Sequence, residues 1–161
     1  MRIIPYILYL LLLGLFEVIG REAVGISGVT INLAAFMVMA VSLYKTETVA
    51  AWFGFACGLV LAAPTPELMG WHALVLSGLA FVAYNVKERL NLESLYSKLL
   101  WIFGGVLMHS TVSLLISGGE SFLFRLISYG LSGAVYTTVL ALLFFLFKEG
   151  VITVKKIRSI F

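Results

Sequence analysis

Four polar side chains interrupt or border the long apolar runs of this chain, and they are its first candidates for chemistry. They are Glu17, Asn32, His72 and His109. A carboxylate, an amide and two imidazoles could line a polar cavity or join helices by hydrogen bonds. Polar groups inside apolar spans are costly and usually face the interior of a helix bundle. Because no two of them have the i, i+4 spacing of a helical ligand pair, neither a metal nor a cofactor is expected.

Each of these side chains also has a purely structural interpretation. Glu17 either reaches water or Arg21 one turn further on, or it belongs to a cavity or partner surface. Asn32 can cap a helix or bond a neighbouring helix. His109 lies near the middle of its apolar run, either as a neutral packing residue or as a ligand-binding one. His72 stands at the mouth of its run, where imidazole and aromatic side chains are common at a membrane interface.

A Gly-x-Ser-Gly motif, typical of rhomboid-type membrane serine proteases, occurs twice, at 25–28 and 130–133. The first copy is expected in an outer loop open to water, and no histidine follows the second. The sequence has no P-loop, dinucleotide fingerprint or carboxylate pair. We therefore expect a protein that is not an enzyme and that binds no nucleic acid.

Charge-free apolar runs recur at about the length of a membrane span. The chain is 61% hydrophobic and 12% charged, against about 25% charged residues in soluble domains. A helix needs about 20 apolar residues to cross a bilayer. The sequence predicts an all-α integral membrane protein with one six-helix domain over 1–161. The expected spans are about 3–20, 29–44, 48–63, 71–86, 99–117 and 126–147.

Basic residues predict the orientation of these spans. Six spans place both termini on one side, which then carries nine of the eleven Lys and Arg residues. The excess of Lys and Arg marks the cytoplasmic side. Those expected near the inner membrane surface include Lys87, Arg89, Lys148, Lys155, Lys156 and Arg158. The basic tail 148–161 is either held by anionic lipid or is a docking peptide for a cytoplasmic partner.

Small residues indicate where helices pack closely. Gly54 and Gly58 form a Gly-x-x-x-Gly pattern in the third span, and Gly130 and Gly133 lie in the sixth. Helices approach each other through such faces because no side chain separates their backbones. The pattern predicts a compact bundle with the third span at its centre.

A proline-containing break separates the third and fourth spans. Pro64 and Pro66 are expected to end the third helix, Glu67 adds a charge, and Gly70 is expected to permit a close turn. The break is either a simple outer turn, part of a partner surface, or a lid over a ligand cavity.

Residues 44–90, "YKTETVAAWFGFACGLVLAAPTPELMGWHALVLSGLAFVAYNVKERL", resemble the bacterial rod-shape-determining protein family MreD. The shared features are a tight turn, a Gly-x-x-x-Gly span, a short outer loop, a Gly-x-x-Ala-Leu motif and a basic inner loop. The chain differs from the family pattern at two positions where the family often has an acidic residue. Ala62, Ala63 and Pro64 stand where the third span often ends in Asp, and Asn32 replaces the Asp that often begins the second span.

The resemblance implies a non-enzymatic scaffold of the cell-elongation machinery in the bacterial cytoplasmic membrane. Its implied partners are an MreC-like protein, the RodA glycosyltransferase with its penicillin-binding transpeptidase, and the actin-like MreB inside the cell. An alternative is the vitamin-binding subunit of an energy-coupling-factor importer, to which MreD proteins are similar in fold. In that case Glu17, Asn32, His72 and His109 would line the ligand cavity, although 3–20 lacks the Ala-x-x-x-Ala stripe frequent in such subunits.

Overall fold

The computed structural model describes residues 4–25, 28–90, 92, 94–118 and 121–148. The basic residues expected in the tail, Lys155, Lys156 and Arg158, lie outside the described residues, and so does Ser27 of the first Gly-x-Ser-Gly motif. The proposed pairing of Glu17 with Arg21 also rests on a side chain outside this description.

The described residues form helices joined by short connections, without a β-strand, as the sequence predicts. The six apolar helices are α1 Ile4–Gly20, α2 Leu33–Tyr44, α3 Glu47–Leu61, α4 Pro66–Lys87, α5 Leu95–Ser117 and α6 Phe122–Lys148. Of these, α4, α5 and α6 are long and apolar enough to cross a membrane, and α1, α2 and α3 are shorter.

Helix α2 begins at Leu33, four residues later than the expected start of the second span. Residues 28–32 form a non-helical approach to it, with Gly28 at φ +81°, a conformation that favours glycine. Asn32 then caps the helix, because its side-chain oxygen accepts a hydrogen bond from the Ala35 backbone N–H. The delayed start brings Asn32 to a helix terminus, and its side chain faces the bundle.

The most central helix is α2, so the prediction that the third span occupies the centre is wrong. Seven of the twelve residues of α2 are buried, and this helix contacts α3, α4, α5 and α6. Helix α3 instead presents one face outward, where Trp52 is 69% exposed. Both α2 and α3 are rich in small residues. The sequence pattern alone did not show which of them has neighbours on more sides.

Helices α3 and α4 form the closest antiparallel pair in the bundle, through the two glycines of the Gly-x-x-x-Gly pattern. A Cβ atom on Gly54 would lie 2.5 Å from the Leu76 carbonyl oxygen, and one on Gly58 would collide with the Ala73 backbone. Gly133 of α6 also lies near backbone, since its Cβ would be 3.3 Å from the Thr30 carbonyl oxygen. Gly130 lies mainly against side chains.

Large apolar side chains cover much of the outer surface. Examples are Val18 at 78% exposure and Leu123 at 71%. Water-soluble monomers rarely expose extended apolar surface, which normally marks a membrane or protein contact. The surface therefore agrees with the membrane character indicated by the three long helices.

Candidate functional site

A polar cavity of about 450 Å³ opens at the end of the bundle that carries the 62–65 turn. Glu17, Asn32, His72 and His109 all line this cavity. They come from α1, from the residue before α2, from α4 and from α5. The four candidates, which are as far apart as 92 positions in sequence, therefore meet at a single site.

Two π-helical segments border this cavity. Phe16–Gly20 of α1 carries Glu17, and Leu126–Leu131 of α6 supplies Tyr129 and Gly130. A π-helical turn is rare and is frequently found at functional sites, because it changes the direction of side chains over a single turn. Here both π-helical segments contribute residues to one cavity.

Asn32 connects three elements at the wall of the cavity. Its side-chain oxygen accepts from the Ala35 N–H at 3.1 Å, and its backbone N–H donates to Thr137 Oγ1 at 3.0 Å. Its Nδ2 lies 2.8 Å from His109 Nδ1. Because the oxygen is already committed to the cap, Nδ2 is the donor of this last bond and His109 Nδ1 is the acceptor.

This hydrogen bond determines the tautomer of His109. A neutral imidazole has one donor and one acceptor nitrogen, so an accepting Nδ1 leaves the proton on Nε2. The His109 side chain is 3% exposed, and its Nε2 has no hydrogen-bond partner among the described residues. Ser113 Oγ, one turn further along α5, is likewise buried without such a partner. Buried polar groups are normally paired, so the wall of this cavity retains capacity to bind a polar group.

Thr137 of α6 holds the backbone of Asn32 in place. The threonine is fully buried. Its hydroxyl donates to the Gly133 carbonyl at 2.7 Å and accepts from the Asn32 N–H.

We expect Thr137→Val to lower the free energy of unfolding by about 2 kcal/mol, because a buried N–H loses its acceptor. Thr138→Val is the matched control, since the one hydrogen bond of the Thr138 hydroxyl among the described residues goes to Ala134 of its own helix. Thermal unfolding in detergent should separate the two variants, and equal stability would contradict the bridging role.

Several lining residues were missed by the sequence interpretation. Ser110, Ser113 and Ser117 follow His109 along α5 and all line the cavity. Their spacing of three and four residues puts them on one helix face. These three serines at helical spacing within an apolar helix could therefore have indicated a polar face of α5 from the sequence. Thr30 and Tyr129 also line the cavity, but no pattern in the sequence singles them out.

The proline-containing turn forms part of the cavity rim. Leu61 and Thr65 line the cavity, whereas Pro64, Pro66 and Glu67 are exposed around it. Pro66 begins the 3₁₀ turn that opens α4, a position where its missing N–H costs nothing.

The close turn expected at Gly70 is not formed there. This residue lies within the helical start of α4, and a Cβ on it would have nothing within 4 Å. The positive-φ glycines among the described residues are Gly28 and Gly118 instead.

Among the described residues, neither a metal-ligand cluster nor the serine of the second Gly-x-Ser-Gly motif lies at the cavity. The described residues contain no group of three His, Cys, Asp or Glu side chains able to hold a metal ion. Ser132 of the second Gly-x-Ser-Gly motif is exposed and bonds weakly to the Ile127 carbonyl at 3.4 Å, and it does not line the cavity.

The chain is thus an all-helical protein with three helices able to cross a membrane and with a polar cavity at one end. No protein-family model, curated protein or solved structure matches it.

Proposed function

We propose that this protein is a non-enzymatic membrane scaffold of the bacterial cell-elongation machinery, similar to MreD. It would bind an MreC-like protein and the RodA glycosyltransferase with its penicillin-binding transpeptidase, and so help to organise peptidoglycan synthesis. The observation that carries the proposal is the resemblance of residues 44–90. That segment contains the α3–α4 pair, in which Gly54 and Gly58 of α3 lie against the backbone of α4.

Six membrane passes are part of this proposal, although α1, α2 and α3 are shorter than the other helices, and α2 is the shortest. Twelve residues of α2 cover roughly 18 Å, against a hydrocarbon core of about 30 Å. Non-helical backbone is tolerated at membrane depth where it lines a cavity, and residues 28–32 line the polar cavity. The short helix and its non-helical approach together are compatible with one pass.

The distribution of charge supports cytoplasmic termini. Lys45, Lys87, Lys98 and Lys148 lie at helix ends opposite the cavity, whereas Arg125 lies at the cavity end. The lysine-rich end is the one that the positive-inside rule assigns to the cytoplasm. The cavity and the proline-containing turn then face outward, towards the side on which the bulk of an MreC-like partner would lie.

The outer rim offers a suitable docking surface for such a partner. Pro64, Pro66 and Glu67 are exposed beside the cavity, and two prolines restrict the backbone of the turn. A turn that is already stiff loses little conformational entropy when a partner binds. This property suits a scaffold that has short outer loops and no outer domain within the described residues.

Affinity purification in mild detergent, followed by mass spectrometry, tests the scaffold. We expect the tagged protein to recover an MreC-like protein and the RodA glycosyltransferase with its penicillin-binding transpeptidase.

Glu67→Lys should lower the recovery of these partners by about fivefold, because reversing a charge on the cavity rim weakens electrostatic complementarity. Glu88→Lys makes the same change at an exposed site on the opposite end and should recover the partners normally. If the wild type recovers no wall-synthesis protein, the scaffold is refuted, and equal recovery by both variants would remove Glu67 from the interface.

A second candidate function is favoured by the cavity itself. A volume of about 450 Å³ with convergent polar groups falls within the range of small-molecule sites. The importer-type binding subunit would place its ligand there, against His109 and His72. The same purification distinguishes the two functions, because an importer subunit should bring down an ATPase pair, a transport subunit and a vitamin-like molecule.

A further inference from the structure

One face of α5 carries polar side chains from the interior of the bundle to its outer end. His109, Ser113 and Ser117 follow each other at intervals of four residues, and all three line the polar cavity. We call these three residues the polar row. Exposure increases along it, since His109 is buried, Ser113 is half-buried and Ser117 is exposed. At 1.5 Å per residue the polar row is about 12 Å long, so it follows the cavity from its buried wall outwards.

The two inner members of the polar row keep unused hydrogen-bonding capacity. His109 Nε2 and Ser113 Oγ are both buried and have no hydrogen-bond partner among the described residues. Ser117, by contrast, donates to the Ser113 carbonyl of its own helix at 2.8 Å. Because His109 Nδ1 accepts from Asn32, the imidazole is neutral and its Nε2 is a donor. The inner wall therefore offers one N–H donor and one hydroxyl, neither of which carries a charge.

Further hydroxyl groups surround the polar row. Those of Thr30, Ser110 and Tyr129 also line the cavity. A hydroxyl both donates and accepts, so such a wall matches a molecule that itself carries several hydroxyls. Leu61 and Leu114 add apolar contact surface. The wall thus combines uncharged hydrogen-bonding groups with apolar patches.

We propose that the polar cavity binds an uncharged sugar or a similar polyol, with one ligand oxygen hydrogen-bonded to His109 Nε2 and Ser113 Oγ. The volume of about 450 Å³ suits a small molecule. An anion is disfavoured at the inner wall, because a neutral imidazole and a hydroxyl do not offset the cost of removing a charge from water. An apolar molecule would leave both buried polar groups unpaired. A sugar has hydroxyls for the polar groups and C–H faces for the apolar patches.

The sugar site goes beyond the scaffold function, because it assigns a small-molecule ligand to the cavity. It also names a ligand class for the second candidate function. The site rests on the lining of the cavity and needs neither the wall-synthesis proteins nor a transport partner. Sugar binding is measured on the purified chain and partner recovery on the complex, so each can fail without the other. Recovery of an importer's ATPase pair by a chain that binds no sugar would reject the sugar site alone.

Titration of the purified full chain in detergent with glucose, N-acetylglucosamine or acetate tests the ligand class. Nitrogen NMR of the labelled imidazole follows His109 directly. We expect at least one of the two sugars to shift the Nε2 signal of His109 in a saturable manner, and acetate to leave it unchanged. The proposal is overturned if neither sugar shifts this signal, which would mean that the cavity holds water only, or if acetate binds more tightly than both sugars.

Removal of a single hydroxyl tests the position of the ligand. Ser113→Ala should weaken binding of the sugar by about fivefold, the loss expected for one hydrogen bond. Its Tm without sugar should not fall, because Ser113 Oγ has no partner to lose among the described residues. Thr111→Val is the matched control, since the Thr111 hydroxyl donates to the Leu107 carbonyl of α5 and does not line the cavity. Equal affinity of Ser113→Ala and Thr111→Val would overturn the placement of the ligand.

A steric pair of variants separates the cavity from the outer surface. Ser110→Phe should fill the cavity and abolish sugar binding. Met108→Phe adds a ring to the same helix at a side chain that is 46% exposed and outside the cavity, so it should bind normally. Sugar binding by a folded Ser110→Phe protein would place the ligand elsewhere and overturn the proposal.

Discussion

Gly58→Ala is expected to lower the free energy of unfolding by about 3 kcal/mol, whereas Gly78→Ala should change it by less than about 1 kcal/mol. The added Cβ at position 58 would collide with the backbone of Ala73 and the carbonyl of His72. Backbone atoms cannot move aside by a rotamer change, so α3 and α4 must separate. A Cβ at Gly78 would have nothing within 4 Å. Since both glycines lie inside apolar helices, the intrinsic gain of helix propensity is similar in the two variants.

Thermal unfolding of the two purified variants in the same detergent measures this difference. A fall of roughly 5–10 °C in the Tm of Gly58→Ala corresponds to the expected loss. A Gly58→Ala protein as stable as Gly78→Ala would show that the helices are not held at backbone contact. Separation of α3 from α4 would also disturb the cavity wall, because Leu61 follows Gly58 on α3 and His72 lies opposite it on α4. Partner recovery should therefore fall together with stability.

The helices could be predicted from the sequence largely because charges end apolar runs. The end of α2 at Tyr44 matches the expected span, and α3 begins at Glu47, one residue before the expected start at 48. The start of α2 was missed because residues 29–31 carry no charge, while their backbone is not helical. Hydropathy describes side chains and carries no information on backbone hydrogen-bond register, so neither π-helical segment was visible.

The cavity was predictable in part. The cost of burying polar groups identified Asn32 and His109 as inward-facing, but their direct bond joins residues 77 positions apart. No spacing rule connects two helices at that distance. Thr137 was overlooked because a threonine in a helix often bonds its own backbone. Its second bond, to the Asn32 N–H, depends on how α6 packs against the start of α2.

Asn32→Ala is the substitution expected to affect the polar cavity most. It removes the cap on Ala35 N–H and the donor to His109 Nδ1 together. The cap contributes about 1 kcal/mol, and a buried acceptor without a partner costs about 1–3 kcal/mol, so a total loss of about 3 kcal/mol is expected. Asn85→Ala is the matched control, because Asn85 is exposed and, within the part of the chain that the structure describes, donates to the Phe81 carbonyl of its own helix alone. Thermal unfolding of both variants checks the difference, and similar Tm values would show that the network contributes no stability.

Asn32→Asp tests the chemistry of the same network. The aspartate can still cap Ala35 N–H, so most of the stability should remain. A carboxylate has no proton to donate, however, and His109 must then carry its proton on Nδ1 to keep the bond. Nε2 would change from a donor to an acceptor at the cavity wall. Nitrogen NMR of the labelled imidazole should show protonated Nε2 in the wild type and protonated Nδ1 in Asn32→Asp. If both proteins carry the proton on Nε2, the Asn32 amide does not determine the tautomer. If the tautomer changes as expected, any ligand or partner group that faces His109 in this chain must supply a hydrogen-bond acceptor, whereas a group that faces His109 in Asn32→Asp must supply a donor.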